Sequence, residues 1–500
     1  MKFSLFNVSL FIALLVNCSA PKEEIKIVPT PNFLLLLSDN HYYSHLGCYG
    51  DPVVKTPTID QLASEGIRFT NAFCASPSCT PARGALLAGQ DIWRLGNGGN
   101  LWSSLADSIP TYPDLLEKAG YHVGHDRKGW GPGDFKAGGR IRNPAGYTFK
   151  NFEEFLDKKE GKKSWSFWLS SRNPHRPFEY GAGIASGLDP DKVEVPPYLP
   201  DSPEVRSDIC DYYYQIQEFD KEVAEAIELI KQRGELENTF IMICGDNGWM
   251  MPRGLANLYD YGTRVPLIIN WPKKIKQKRV VDDFVSLNDL APTILDLAKI
   301  QIPKQMTAQS LVPIMNSNES GRVEADRDFI ITARERHALV RKGGLGYPGR
   351  SIRTDDYLYI HNITPDRWPA GDPPLYGDID LHMLQGKSPT KEYMMLNKEA
   401  PDVQELYKQA FLKRPEHELF DLKKDPYQMK NVAYDSSYSA IRHNLISRMN
   451  DYLVETKDPR MIGNPVNWDE LPYYKEKDWI GTPRKEAQEL FGLKESYSYY

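Results

Sequence analysis

The sequence predicts a layered α/β protein that carries a second, smaller domain with an antiparallel sheet. Short, continuous apolar runs such as "FLLLLS" and "FIMICG" are typical of strands buried on both faces of a sheet. Amphipathic helical patterns lie between these runs, and alternation of strand and helix indicates a layered α/β fold. After about residue 325, short strand-like runs alternate with turns. We therefore expect a large domain over residues 27–325 and a smaller α+β domain over 326–500.

The predicted elements follow one another in a simple order. An Asp-Asn pair follows each apolar run directly: "FLLLLSDN" ends at Asn40, and "FIMICGDN" ends at Asn247. Between them, "TPTIDQLASEG", "YPDLLEKAG" and "DKEVAEAIELIKQRG" have helical periodicity, and the last ends in a glycine that favours a stop. "LNDLAPTILDLAKI" adds a helix after the second run. In the smaller domain, short strands and turns are predicted in "DFIITAR", "HALVRK", "RSIRTDDYLYIHN" and "HELFDLKKDPYQ", around a Pro- and Gly-rich loop at 364–378.

The composition is that of a soluble globular enzyme. Hydrophobic residues make up 41% and charged residues 26% of the 500 residues, which argues against a disordered or membrane-spanning chain. The formal net charge is -6, and no run of lysine or arginine occurs, so a nucleic-acid partner is not expected. An anionic ligand would therefore need positive charge that is gathered locally.

The first residues, "MKFSLFNVSLFIALLVNC", have the lysine and the short apolar stretch of an export signal. "LLVNC" resembles a bacterial lipoprotein box, so residues 1–26 are predicted to be a signal and tether with Cys18 lipidated. A plain cleaved signal peptide is the alternative. We expect an exported bacterial lipoprotein of the periplasm or outer membrane, with the cell surface as a further location. Apart from Cys18 and Cys79, the chain has four cysteines, and their spacing is not that of a metal site. They are expected mostly to be buried thiols: Cys48, Cys74, Cys210 and Cys244.

A cysteine stands directly before a predicted helix start in "CTPARGALLAG", residues 79–89. Thr80 suits the N-cap, Pro81 the first helical position and Gly89 the C-terminal stop. The N-terminus of a helix favours the ionised form of a thiol, and its free amides also bind anions. Three interpretations of Cys79 are open on this basis: a buried packing residue, a reactive thiol, or a group made from a thiol.

The two Asp-Asn pairs are candidate metal ligands. Because ligands of open α/β sheets gather at the carboxyl ends of strands, we expect both pairs on one rim of the sheet. Asp39, Asn40, Asp246 and Asn247 offer only oxygen ligands, the set that a hard cation takes. Each pair alone is also typical of a turn or a helix cap. Their occurrence at matching strand ends therefore favours a Ca²⁺ site, with Mg²⁺ as the alternative ion.

"CTPAR" matches the Cys-x-Pro-x-Arg signature of the formylglycine-dependent sulfatases, which belong to the alkaline-phosphatase-like superfamily. The chain resembles this family over nearly its whole mature length, in the order "SDNHYYSHLGCYG", "TPTIDQLASEGIRFTNAF", "PHRPF", "GDNG", "LYDYGTRVPLIINWP", "LNDLAPTILDLA" and "ELFDLKKDPYQ". "KGWGPG", "PRGLANLYDYGTRVP" and "RTDDYLYIHN" look closest to the heparan N-sulfatase (sulfamidase) branch and its bacterial relatives. The implied fold is a large central mixed sheet flanked by helices, followed by the smaller C-terminal domain.

The resemblance implies a hydrolase that removes O- or N-linked sulfate from sulfated sugars, in particular glycosaminoglycan fragments. It implies that Cys79 is oxidised to formylglycine by a maturating enzyme, which acts on the unfolded chain before export. One hydroxyl of the formylglycine hydrate would attack sulfur, and the second would let the sulfo-enzyme collapse to aldehyde and sulfate. The cation would be held by Asp39, Asn40, Asp246, Asn247 and residue 79.

Three further side chains match functional positions of the family. Arg83, one turn into the helix, would hold the formylglycine hydrate, and Lys128 in "DRKGWG" would contact both nucleophile and sulfate. His175 in "NPHRPF" would lie near the leaving group, where an imidazole can donate a proton near neutral pH. As an isolated residue, Lys128 is more typical of a solvated surface. For His175 alone, a position in a cap or a core is as typical as a catalytic one.

Arg336, His337 and Arg350 are predicted to extend from the second domain over the site. Guanidinium groups bind sulfate and carboxylate through paired hydrogen bonds, which would suit an anionic sugar. Ordinary charges on strands are the alternative interpretation of these three residues.

Three positions depart from the family pattern. Asn40 stands where many sulfatases have a second aspartate, which lowers the formal ligand charge by one. Trp130 stands where the common Lys-x-His pattern has a histidine, and Leu255 replaces a basic residue that contacts sulfate. Arg253, two residues away, is a candidate substitute for that basic residue.

Two other functions stay open from the sequence. One is a phosphodiesterase or phosphonate hydrolase of the same superfamily, although the extra histidine ligands typical of such enzymes are not evident. The other is a glycan-binding lipoprotein that has lost catalysis, which Trp130 and Leu255 suggest.

Overall fold

The computed structural model describes residues 30–380, 386–464, 466–475 and 485–493. The predicted signal and tether, with Cys18, lies outside the described residues, so lipidation and export stay predictions. Within the described part of the chain, no helix combines the length and the apolar character needed to cross a bilayer.

The strands of the first part of the chain form one large sheet. They are β1 (Asn32–Ser38), β2 (Ile67–Phe73), β3 (His122–Asp126), β4 (Tyr147–Phe149), β5 (Trp165–Ser170), β6 (Thr239–Gly245), β7 (Leu267–Asn270) and β8 (Arg279–Ser286). Their order is β4-β3-β5-β1-β6-β7-β2-β8. β7 runs antiparallel to both neighbours, whereas the other pairs are parallel. The predicted large mixed sheet is confirmed.

The central strand β1 is buried on both faces. Leu34 and Leu36 belong to the apolar core on one side of the sheet, and Phe33, Leu35 and Leu37 belong to the core on the other. Successive side chains of a strand point to opposite faces, so a strand covered on both sides requires an unbroken apolar run. This is the pattern from which the strand was predicted.

Helices cover both faces of the large sheet. The helices of the described residues are α1 (Pro57–Ser64), α2 (Cys79–Ala88), α3 (Tyr112–Lys118), α4 (Phe152–Asp157), α5 (Ala182–Ala185), α6 (Pro203–Gln232), α7 (Asp260–Thr263), α8 (Leu290–Leu297), α9 (Val312–Asn316), α10 (Pro389–Leu396), α11 (Gln404–Phe411), α12 (Ser439–Glu455) and α13 (Lys485–Phe491). α1, α4 and α6 pack on one face, and α2, α3 and α8 on the other. α6 begins well before the predicted stretch, because Ser202 caps it through the amide of Val205 and Pro203 occupies the first position.

A second sheet follows in the C-terminal part, as predicted. Its strands are β9 (Phe329–Arg334), β10 (Gly349–Thr354), β11 (Tyr357–Asn362) and β12 (His417–Asp421), all antiparallel in the order β12-β11-β10-β9. "HALVRK" forms no strand but a loop that enters a short 3-10 turn. The apolar residues Ile331, Tyr359 and Leu419 belong to the same core as one face of β1. The smaller sheet therefore shares its core with the larger sheet.

Candidate functional site

The two Asp-Asn pairs lie side by side at the carboxyl edge of the large sheet. They follow β1 and β6, which are parallel neighbours, and all four side chains are buried. The backbone amide of Asn40 donates to Oδ1 of Asp246 at 3.0 Å. Asn40 has a φ of 66°, a left-handed conformation that asparagine adopts more readily than most residues. Asn40 therefore fits this turn for a backbone reason as well as for its side-chain oxygen.

Cys79 is the first residue of α2 and faces both pairs. Its Sγ lies 3.6 Å from Oδ1 of Asp39 and 3.9 Å from Oδ1 of Asn40. Nδ2 of Asn247 lies 3.8 Å from the same sulfur. Ligand atoms of Asp39, Cys79 and Asp246 all lie within 4.8 Å of one another. Segments far apart in the chain thus converge on residue 79.

The start of α2 differs from the sequence prediction by two residues. Ser78 occupies the N-cap position, and the prediction of Thr80 as the cap was wrong. The Thr80 hydroxyl donates to the carbonyl of Pro132, and the Ser78 hydroxyl shares a hydrogen bond of 2.8 Å with Nδ1 of His337. The Ser78 side chain makes no capping hydrogen bond to the first turn of α2, and free amides at a helix start can bind an anion. Gly89 ends the helix with a φ of 60°, as predicted.

The Cys79 thiol is not activated by its position at the helix start. Burial and the carboxylates of Asp39 and Asp246 raise its pKa to about 12, against the opposing charges of Lys128 and Arg83. A thiol with this pKa is protonated at neutral pH, whereas the nucleophile is the thiolate. The structure therefore disfavours the reactive-thiol interpretation and leaves a packing residue or a group made from the thiol.

Arg83 connects the two carboxylates beneath residue 79. Its side chain is fully buried, and its Nε donates to Oδ2 of Asp246 at 2.8 Å while its Nη2 lies 3.4 Å from Oδ2 of Asp39. Its Nη1 donates to the carbonyl of Gly129 at 2.8 Å and to Oγ of Ser170 at 2.7 Å. Only a planar guanidinium can serve acceptors in this many directions, so lysine would not replace it.

Lys128 and His175 complete the group of predicted residues at this edge. Nζ of Lys128 donates to Oδ2 of Asp39 at 2.7 Å. Burial lowers the pKa of Lys128, but the acidic groups around it, with Asp39 foremost, together outweigh burial and leave this pKa above its ordinary value. His175 lies in the loop after β5, with its Nδ1 2.5 Å from the carbonyl oxygen of Arg176. The same loop is hydrogen-bonded to the Asp39-Asn40 pair, because the amide of Asp39 donates to the carbonyl of Asn173 at 2.9 Å.

The two carboxylates differ in their pKa. Burial raises the pKa of Asp39, but the charges of Lys128 and Arg83 outweigh burial and hold it below its ordinary value. Burial and the neighbouring charge of Asp39 raise the pKa of Asp246, although Arg83 opposes them. A cation beside Asp246 would therefore stabilise its ionised form.

The oxygen atoms of this edge fit a hard divalent cation. Oδ1 of Asn247 is buried and has no hydrogen-bond partner among the described residues, which costs free energy unless a ligand satisfies it. Bonds of about 2.3–2.6 Å to Ca²⁺ can join ligand atoms up to about 5 Å apart. Carboxylate oxygens of Asp39 and Asp246 lie within this span of each other. Since Arg83 and Lys128 already balance the two carboxylates, the ion would add net positive charge that suits an anionic group.

A cavity of about 730 Å³ opens onto these residues. Its lining includes Asp39, Asn40, Cys79, Lys128 and His175. His337, predicted as a substrate contact, also lines it beside Ser78. A volume of this size suits a small-molecule ligand.

Comparison with known families identifies the type of protein. A model described as the sulfatase family matches residues 31–300, which contain the large sheet, both Asp-Asn pairs and Cys79. The chain belongs to the sulfatase family. A model described as the N-sulphoglucosamine sulphohydrolase C-terminal region matches residues 245–369. The predicted family is confirmed, and the protein is a hydrolase of the sulfate-ester or sulfamate class.

Two relatives resemble this sulfatase over most of their length. An "Ulvan-active sulfatase" of Formosa agariphila is 26% identical, over an alignment that covers 88% of this chain and 80% of the relative. The human "N-sulphoglucosamine sulphohydrolase" is 26% identical, with 86% and 91% covered.

Solved structures show the same fold. A protein solved in complex with its substrate D-glucosamine-2-N,6-O-disulfate has a TM-score of 0.64 at 17% identity and covers 88% of this sulfatase and 99% of its own chain. A phosphonate monoester hydrolase of Agrobacterium radiobacter has a TM-score of 0.63 at 17% identity, with 86% and 97% covered. The fold by itself is therefore shared by sulfur and phosphorus chemistry.

Arg336 and Arg350 do not reach the cavity of the sulfatase, contrary to expectation. Arg350 is buried and forms ion pairs with Glu335 at 2.8 Å and Asp458 at 2.7 Å. The Arg336 guanidinium donates to backbone carbonyls in segment 469–471. Because these donors serve internal partners, the two residues stabilise the C-terminal part rather than a ligand.

The departures from the family pattern have separate structural outcomes. Trp130 is buried beneath α2, where a Cβ on Gly84 would lie 3.4 Å from its indole nitrogen, and it does not line the cavity. Leu255 lines the cavity and gives it an apolar contact. Arg253 does not substitute for a basic residue there, because its buried guanidinium donates to the carbonyl of Gln428.

Several cavity residues were missed by the sequence analysis. Trp102 and Lys475 come from distant parts of the chain, and Nζ of Lys475 lies 4.2 Å from the centre of the Trp102 ring. No local pattern marks these two as neighbours. Arg172 also lines the cavity, and its closeness to "NPHRPF" is the signal that points to it.

Replacing Arg83 with glutamine is expected to impair both stability and catalysis. Removing one partner of a buried ion pair leaves uncompensated charge and lowers the free energy of unfolding by about 3–5 kcal/mol. Sulfate release is expected to fall at least about 100-fold, because the carboxylates lose their common donor. Chemical denaturation and a sulfate-release assay measure the two effects. Arg83→Lys serves as the charge control and is expected to recover little activity; full activity of Arg83→Gln would contradict this account.

The stability of the sulfatase is expected to fall between pH 7 and pH 5. Burial lowers the pKa of His45 and of His337 to about 4, whereas an unfolded imidazole has a pKa near 6.5. Between pH 7 and pH 5 these two imidazoles bind protons in the unfolded chain but stay neutral in the folded protein. The free energy of unfolding therefore falls as the pH falls. Each of the two histidines is expected to make the free energy of unfolding about 2 kcal/mol smaller at pH 5 than at pH 7. Chemical denaturation at pH 7 and pH 5 measures the change in the free energy of unfolding. This change should be smaller in His45→Gln than in the wild type, and unaltered in the exposed control His443→Gln.

Proposed function

We propose that this sulfatase removes O- or N-linked sulfate groups from sulfated sugars, with glycosaminoglycan fragments as the substrate class. The observation that carries the proposal is the position of Cys79, whose Sγ lies within 4 Å of Asp39, Asn40 and Asn247. The human relative is named for a sulfated glucosamine, and one structural neighbour holds a disulfated glucosamine. These names support an amino sugar as the group that carries the sulfate.

We propose that Cys79 is converted to formylglycine by a maturating enzyme and that Ca²⁺ occupies the oxygen-lined edge. The formylglycine hydrate would supply an oxygen nucleophile, and the cation would supply positive charge to the sulfate oxygens. Asp39, Asn40, Asp246 and Asn247 would hold the ion. The position of Sγ, 3.6 Å from Oδ1 of Asp39 and 3.9 Å from Oδ1 of Asn40, supports this assignment, because an oxygen on residue 79 would lie beside the proposed ligands.

The other residues of the edge have separate tasks in the proposed reaction. Arg83 holds both carboxylates in place and lies beneath residue 79, where it would orient the hydroxyls of the nucleophile. The ammonium of Lys128 would contact the nucleophile and the sulfate. Charge on the sulfate oxygens persists throughout the transfer, so fixed positive groups and accurate positioning provide most of the catalysis.

His175 is proposed to protonate the leaving oxygen or nitrogen. A carbonyl oxygen accepts hydrogen bonds only, so the contact of Nδ1 with the Arg176 carbonyl requires the proton on Nδ1. The transferable proton of the imidazolium is therefore the one on Nε2. This arrangement gives the ring a defined orientation for general acid catalysis.

The two alternative functions are less well supported. A phosphonate hydrolase shares the fold, but the matching family model is that of the sulfatases. A binding protein without catalysis was suggested by Trp130 and Leu255, yet Trp130 lies beneath α2 and leaves Cys79, Lys128 and His175 facing one cavity. The arrangement therefore favours an active enzyme.

Mass spectrometry of the peptide that contains residue 79 tests the proposed modification. After co-expression with a maturating enzyme, the peptide is expected to have lost sulfur and gained an aldehyde. Cys79→Ala is expected to lose more than about 1,000-fold of sulfate release, because the nucleophile is absent. Cys48→Ala is the matched control and is expected to keep activity. A fully active protein with an unmodified Cys79 would refute the mechanism.

Removal of divalent cations is expected to abolish most of the activity, and Ca²⁺ is expected to restore it. The reason is that the buried oxygens of the edge need the ion to orient them and to bind sulfate. Asn247→Ala should raise the Ca²⁺ concentration for half-maximal activity by roughly 10-fold or more, since it removes one ligand oxygen. Sulfate release is measured across a Ca²⁺ titration. Activity that resists strong chelators would count against the metal assignment.

A further inference from the structure

Three of the five arginine and lysine side chains that line the cavity are already paired with acidic groups. The pairs, with their nitrogen–oxygen distances, are Arg127–Glu222 at 2.9 Å, Lys128–Asp39 at 2.7 Å, Arg176–Asp208 at 2.7 Å and Arg176–Asp380 at 2.6 Å. These pairs shape the wall, but their charges are largely balanced within the protein. A ligand group that needs its own counter-charge must find it elsewhere in the cavity.

Arg172 is different, because it lines the cavity without an ion pair to any residue that the structure describes. Its residue is exposed, so its guanidinium keeps its donors for solvent or a ligand. Its backbone is nevertheless anchored at the proposed catalytic edge. The carbonyl of Arg172 accepts from the amide of His175 at 2.8 Å, and the next carbonyl, of Asn173, accepts from the amide of Asp39 at 2.9 Å.

Arg172 therefore lines the same cavity as His175, the residue proposed to meet the leaving group. The cavity wall formed by Leu255 is apolar and offers no comparable charge. Guanidinium groups bind carboxylates and sulfates through two parallel hydrogen bonds, which specify orientation as well as charge. An uncompensated arginine at this place is suited to an anionic substituent on the same saccharide.

We propose that Arg172 binds a second anionic group of the substrate, a carboxylate or a further sulfate, while the scissile sulfate lies at residue 79. The preferred substrates are then saccharides with at least two negative groups. This inference rests on the proposed function and names Arg172 as a residue that determines specificity within it.

The test compares the wild-type protein, Arg172→Gln and Arg172→Lys on three substrates. These are a glucosamine with one sulfate, a glucosamine with two sulfates, and a sulfated hexosamine linked to a uronic acid. Arg172→Gln is expected to lower kcat/KM for a dianionic substrate at least about 10-fold more than for the monosulfated sugar, mainly through KM. Arg172→Lys should recover part of this loss. Arg233→Gln, which removes an exposed charge outside the cavity, is the control and should leave the ratio unchanged.

Each outcome bears on a separate claim. A selectivity loss with the disulfated sugar alone assigns Arg172 to a sulfate, and a loss with the uronic acid alone assigns it to a carboxylate. An equal loss on all three substrates, or no loss, would overturn the inference even though the wild type releases sulfate. Absence of sulfate release by mature wild-type protein from every sugar would instead refute the proposed function.

Discussion

The buried ion pair that Arg83 forms with Asp246, together with its contact to Asp39, is the interaction on which the rest of the site depends. It joins α2 to the ends of β1 and β6, and its remaining donors reach Ser170 at the end of β5. Buried charges are costly unless they are paired, so none of these groups is stable without the others. The arrangement therefore ties the position of residue 79 to the large sheet.

This interaction also explains the charge balance of the edge. Arg83 and Lys128 offset the two carboxylates, and a divalent ion would turn the edge net positive, which would favour an anionic ligand. Cys79 lies within this group, with its Sγ 3.6 Å from Oδ1 of Asp39. The residues that stabilise the edge are therefore also the ones to which the proposed chemistry is assigned.

The C-terminal part has a different relation to the site. Its arginines mostly serve internal pairs, as Arg350 does with Glu335 and Asp458, and its sheet shares an apolar core with the larger one. What it contributes to the cavity is limited to a few side chains, such as His337 and Lys475. A basic strand residue in this region is therefore a weak indicator of ligand binding.

The sequence by itself determined the layered fold, the edge that holds Asp39, Asn40, Asp246 and Asn247, and the presence of a helix next to Cys79 that ends at Gly89. Local apolar runs predict the strands, and local signals predict the helix. The carboxyl ends of parallel strands lie at one edge of the sheet, so short segments of sequence are enough to predict these features. Only the tertiary structure decided that Ser78 rather than Thr80 is the N-cap of α2, that Arg350 forms internal ion pairs and that Arg172 lines the cavity. The direction of a charged side chain depends on partners far away in the chain, and no local pattern specifies those partners.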